Sequence, residues 1–74
     1  MQIYLYKLRK ENNISQKDMA KIIGKSTTTY RDKELGKQDF KLSEMFLIAN
    51  YFNKDIGDIF TPSTSRKVKQ GEVE

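Results

Sequence analysis

The sequence predicts an all-α fold, a small single domain built around a helix-turn-helix, and three observations predict it. The stretch from Ser15 to Gly36, S-Q-K-D-M-A-K-I-I-G-K-S-T-T-T-Y-R-D-K-E-L-G, carries two helix starts and two helix stops in close succession. On either side of it, apolar residues return at intervals of three and four, the period of a helix face. The 74 residues leave room for one modest core. On this reading residues 1–60 form the domain and residues 61–74 a flexible polar tail, with no space for a separate catalytic domain.

The first helix spans about residues 2–12, with Tyr4, Leu5 and Leu8 at helical spacing and Lys7, Lys10 and Glu11 on its polar side. Asn12-Asn13 closes it, asparagine being the non-glycine residue that best tolerates the left-handed cap conformation. Ser15 followed by Asp18 is a capping-box variant, and Ile14 can staple to Met19 across it. Met19, Ala20 and Ile23 face inward from this second helix, and Ile22 falls between core and surface. Gly24 ends the helix. Ser26, accepting from the amide of Thr28 or Thr29, opens the next one only two residues later. So short a connection forces a steep crossing, the geometry that lays a second helix in the major groove of DNA.

Three consecutive threonines, Thr27 to Thr29, are poor helix formers and so are not explained by propensity. Their hydroxyls suit base edges or phosphates and their methyls suit a thymine methyl; a capping cluster without a ligand is the bland alternative. Tyr30 is the expected core anchor of this third helix, and Leu35-Gly36 ends it. Asp39 is the expected cap of a fourth helix running to about Phe52. That helix has a wide apolar face of Leu42, Met45, Phe46, Ile48, Ala49 and Phe52. Asp55 caps a last turn whose Ile56, Ile59 and Phe60 close over the core. Arg66, Lys67 and Lys69, in the tail, suit solubility better than contact with DNA or a membrane surface.

Composition narrows the function. The chain has neither cysteine nor histidine, which removes disulfides, thiolate chemistry and the commonest general base and metal ligand. No enzyme activity, metal or cofactor is expected. No apolar run reaches membrane-span length and the N-terminal charges follow the apolar residues, unlike a signal peptide, so a soluble cytoplasmic protein is expected. Residues 1–41 hold ten Lys and Arg against five acids, whereas residues 42–60 hold one lysine against three. The positive half coincides with the helix-turn-helix, as a footprint for phosphate requires.

The run L-Y-K-L-R-K-E-N-N-I-S-Q-K-D-M-A-K-I-I-G, then Y-R-D-K-E-L-G, the apolar helix and the closing D-I-G-D-I-F resemble the lambda-repressor/Cro-like, or XRE, helix-turn-helix family over roughly residues 5–60. The resemblance implies five helices, the second and third forming the DNA-binding motif. It places base-reading positions at Ser26, Thr27, Thr28, Arg31 and Asp32. Arg31 serves either a base or a phosphate, and Asp32 either accepts from a cytosine amine or holds a nearby cation. Contacts to the DNA backbone map to Gln16, Lys17, Lys25, Lys37, Gln38 and Lys41, and a structural ion pair to Arg9 and Glu34. Inward positions of the fourth helix map to Leu42, Met45, Ile48, Ala49 and Phe52.

Departures from the family pattern are Asn13 for glycine, Phe40-Lys41 for a proline-serine start, and Lys25 and Lys33 for apolar residues. The stems of those lysines are expected to lie along apolar surface with the ammonium in water. Leu47 and Tyr51, four apart, are expected to share an exposed face and form a dimer interface. The implied function is that of a sequence-specific transcriptional regulator, such as a phage or mobile-element repressor or Cro-like protein. It would act as a homodimer, weak or formed on a palindromic operator. A protein-interaction module of antirepressor or antitoxin type is the alternative.

Overall fold

The computed structural model describes residues 1–61, among which five helices and no strand occur. Helix α1 covers Ile3–Glu11, α2 Gln16–Ile23, α3 Thr27–Leu35, α4 Leu42–Phe52 and α5 Ile56–Ile59. The tail expected from residue 61 lies outside the described residues except for Thr61, and Arg66, Lys67 and Lys69 lie outside with it.

Four of the helices stop by one device. Asn13, Gly24, Gly36 and Asn53 take positive φ values of 55°, 71°, 91° and 57°. The amide one residue further on reaches back five residues: Ile14 to Arg9 O, Lys25 to Ala20 O, Lys37 to Asp32 O and Lys54 to Ala49 O, at 2.8–3.0 Å. That is the Schellman closure, which satisfies carbonyls a helix end would otherwise leave unpaired. Starts are local as well. Ser15 Oγ accepts from the Asp18 amide at 3.0 Å and Ser26 Oγ from the Thr29 amide at 3.1 Å.

Leu5, Met19, Tyr30, Ile48 and Ile59, one from each helix, are fully buried and form the centre of the core. Phe40 joins them from the loop, its ring edge-on to Tyr30 at 6.0 Å and to Phe60 at 5.1 Å between centroids. Such T-shaped aromatic contacts are the geometry the ring quadrupole favours.

Several expectations are corrected. The fourth helix is not capped by Asp39: its N-cap is Lys41, because burying Phe40 carries the chain inward before the helix begins, and Glu44 accepts the Lys41 amide at 2.9 Å. Leu42, assigned to an inward position of α4, is 59% exposed, and Phe46, counted in its apolar face, is 53% exposed. Met45, Ile48, Ala49 and Phe52 pack on the core, so a third of the wide apolar face stays in solvent. Tyr4 is likewise exposed, α1 burying Leu5 instead. Asp55 occupies the N-cap of α5 without a side-chain capping bond. Lys33 does not extend into water; it is buried.

The ends of the described chain are fastened to each other. The Gln2 amide donates to Glu34 O at 2.8 Å, at the end of α3. The Gln2 side chain accepts from the Thr61 amide at 2.7 Å and from the Thr61 hydroxyl at 3.0 Å, and donates to Thr61 O at 3.2 Å.

Candidate nucleic-acid interface

Helices α2 and α3, joined through Gly24, Lys25 and Ser26, present the polar surface that the sequence singled out. Ser26, Thr27, Thr28 and Arg31 are exposed at the start and along the outer side of α3, and Asp32 is half-buried. Lys17, Lys25, Lys37, Gln38 and Lys41 are exposed as well. Ser26 is less available than its position suggested: besides capping, its hydroxyl donates to Thr29 Oγ1 at 3.0 Å. Thr27, Thr28 and Arg31 therefore carry the accessible polar groups of this face.

Beneath it lies a buried carboxylate with four donors. Glu34, 1% exposed, accepts from Arg9 Nε at 2.9 Å and Tyr30 Oη at 2.7 Å on one oxygen. Arg9 Nη2 and Gln16 Nε2, each at 3.2 Å, share the other. Arg9 also donates to Ile14 O at 3.0 Å. The cluster ties α1, the start of α2 and the last turn of α3 together. Burial alone would raise the Glu34 pKa, but the hydrogen bonds from Arg9, Tyr30 and Gln16 and the Arg9 charge hold it below the usual carboxylate range. Burial disfavours the charge on Arg9 too, and the Glu34 hydrogen bond and charge outweigh it, so its pKa is raised. The Tyr30 hydroxyl is pushed far up by burial and by its bond to Glu34, which leaves it a donor at any ordinary pH. Gln16, at the first position of α2, thus has one amide proton committed to Glu34.

A second buried pair joins α3 to α4. Lys33 Nζ donates to Glu44 Oε1 at 2.9 Å and to Asp39 O at 3.1 Å, and lies 5.9 Å from the Phe40 ring centroid. Glu44, 3% exposed, also has its pKa lowered: burial would raise it, and the hydrogen bonds from Lys33 and the Lys41 amide, with the charges of Lys33 and Lys25, prevail. Both lysines that depart from the family pattern thus act on this one carboxylate. Its other oxygen, Oε2, is buried without a hydrogen-bond partner. Sequence reasoning missed Glu44; the signal was a carboxylate three residues after Lys41, the capping spacing, hidden by assigning the cap to Asp39.

The helix-turn-helix family model matches residues 5–59. The chain belongs to the XRE, or lambda-repressor-like, helix-turn-helix family. No curated protein and no solved structure matches it. The XRE family is one of DNA-binding regulators, typically without enzymatic activity. Helices α2 and α3 are the two helices of the motif. No described helix is long and apolar enough to cross a membrane, and no described group of three or more Asp or Glu is placed to hold a metal ion.

Proposed function

We propose that this XRE-family chain is a sequence-specific duplex-DNA-binding transcriptional regulator of the phage or mobile-element repressor and Cro kind, acting as a homodimer on a palindromic operator. The observation that carries the reading is the outer side of α3, where Thr27, Thr28 and Arg31 stand exposed above a helix pair locked by Glu34. Rigid support and unoccupied polar side chains are what base readout needs; Lys17, Lys25, Lys37 and Lys41 supply phosphate neutralisation.

A salt-dependent titration on the DNA flanking the protein's own gene, against random competitor, tests this. Thr28→Ala or Arg31→Ala is expected to weaken operator binding by about 1–3 kcal/mol and competitor binding much less. Equal losses on both DNAs would remove base readout, and no retention over competitor would favour the protein-interaction reading instead.

One observation supports a protein contact in addition. Leu47 and Tyr51, four apart on α4, are 47% and 56% exposed and share an apolar face that a lone molecule gains nothing by displaying. A second copy is the occupant we assign to it. Leu47→Glu is expected to shift sedimentation toward monomer, free or on a palindromic duplex; identical behaviour of both proteins in both states would take Leu47 and Tyr51 out of the interface.

A further inference from the structure

The connection between α3 and α4 has no helical hydrogen bonds of its own, yet nearly every residue of it is fastened. The amides of Lys37 and Gln38 donate to Asp32 O at 2.8 and 3.3 Å. The Asp39 carbonyl accepts from Lys33 Nζ at 3.1 Å, the Phe40 ring is buried, and the Lys41 amide donates to Glu44 at 2.9 Å. Lys37, Gln38 and Lys41 nevertheless remain exposed. The backbone is held and the long polar side chains are free. The central fastening is the buried ammonium of Lys33, which reaches the loop carbonyl and the α4 carboxylate at once.

An apolar side chain of similar length would fill the same volume without the desolvation that burying an ammonium and a carboxylate entails. What it would not supply is a donor for the Asp39 carbonyl. We propose that Lys33, together with Glu44, is a positioning device that fixes the 37–41 segment in the shape in which Lys37, Gln38 and Lys41 meet DNA phosphates. The proposal rests on the DNA-binding reading above and adds to it the origin of the phosphate grip. Its physical basis is preorganisation: a segment already ordered loses less conformational freedom on binding, so more of the gross interaction appears as affinity.

The test is the salt dependence of binding to a short random-sequence duplex by the full chain. The four proteins are the wild type, Lys33→Met/Glu44→Gln, Lys37→Ala/Lys41→Ala, and all four substitutions combined. The Lys33→Met/Glu44→Gln protein keeps the wild-type net charge and an acceptor for the Lys41 amide, so what it removes is the tether. The expected result is a log–log slope shallower by about 0.9 for each phosphate that is no longer neutralised. The Lys37→Ala/Lys41→Ala substitutions should then cost less slope without the tether than with it. A slope equal to wild type, with full additivity, overturns the positioning role and leaves the DNA reading standing. A wild type with no salt-dependent binding removes both.

Amide exchange on the unaltered protein serves if the double substitution does not fold. Protection of the Lys41 amide, which Glu44 holds, before any duplex is added supports the proposal. Protection gained only on the duplex overturns it.

Discussion

Glu34 and Glu44 are both buried carboxylates, each 2.9 Å from a cation, and they are finished differently. Around Glu34 four side-chain donors from three helices converge on two oxygens, and neither oxygen is left over. Glu44 has both of its donors, Lys33 Nζ and the Lys41 amide, on Oε1, while Oε2 is buried and unpartnered. A fully satisfied polar cluster in a low-dielectric interior rigidifies the fold, and a half-satisfied one retains part of the desolvation cost. The first joins the two helices of the motif to α1; the second holds the loop between α3 and α4. The contrast separates what holds the fold from what shapes its rim.

The sharpest way to break the comparison is to make the same isosteric change at both sites. In Glu34→Gln the new NH2 faces a donor whichever way the amide is turned, since Arg9 and Tyr30 approach one oxygen and Arg9 and Gln16 the other. Arg9 is also left buried without a counter-charge. We expect a loss of about 3–5 kcal/mol, seen as a lower melting temperature. In Glu44→Gln Lys33 is likewise left buried without a counter-charge, but the carbonyl can keep both donors and no donor is turned against another, so the cost should be smaller, about 1–3 kcal/mol. Equal melting temperatures for the two variants would mean that the difference in hydrogen bonding carries no energetic weight.

A gentler probe is acid. Both carboxylates have folded pKa values below their unfolded ones. Each therefore contributes stability that is fully present above the unfolded value of about 4.3 and is lost as pH falls through the folded value. Wild-type melting temperature should fall more steeply below about pH 4 than that of Glu34→Gln, which has no carboxylate left to protonate there. Parallel curves would remove Glu34 as a main source of acid sensitivity.

Where the structure was decided by chemistry within a few residues, the sequence was readable. Ser15, Gly24, Ser26 and Gly36 announce two starts and two stops, and the chain obeys them because caps act on the nearest amides and carbonyls. The start of α4 was not readable. It depends on Phe40 finding Tyr30 and Phe60 across the molecule, and a lysine at the cap position gives no local notice. Periodicity gave α4 an apolar arc but not the part of it that is covered; Leu42 and Ile48 look alike until α2 and α5 are in place. For the candidate site, residue types gave the polar face of α3, but not the engagement of Ser26 with Thr29 or of Gln16 with Glu34. Those depend on distances that spacing alone does not encode. Lys33 is the clearest case, since a lysine read alone belongs in water and only Glu44 and the Asp39 carbonyl make its burial intelligible.

The clasp between Gln2 and Thr61 gives the domain the topology of a closed ring. Residue 2 and residue 61 share three hydrogen bonds, so a short linker could join them while a new opening is cut at an exposed helix junction such as Asn53-Lys54, yielding a circular permutant with the same core. Cargo fused ahead of Gln2 or behind Thr61 would leave the surface at one shared point. Because the Gln2 amide also holds the Glu34 carbonyl, tension applied there would be felt first at the last turn of α3.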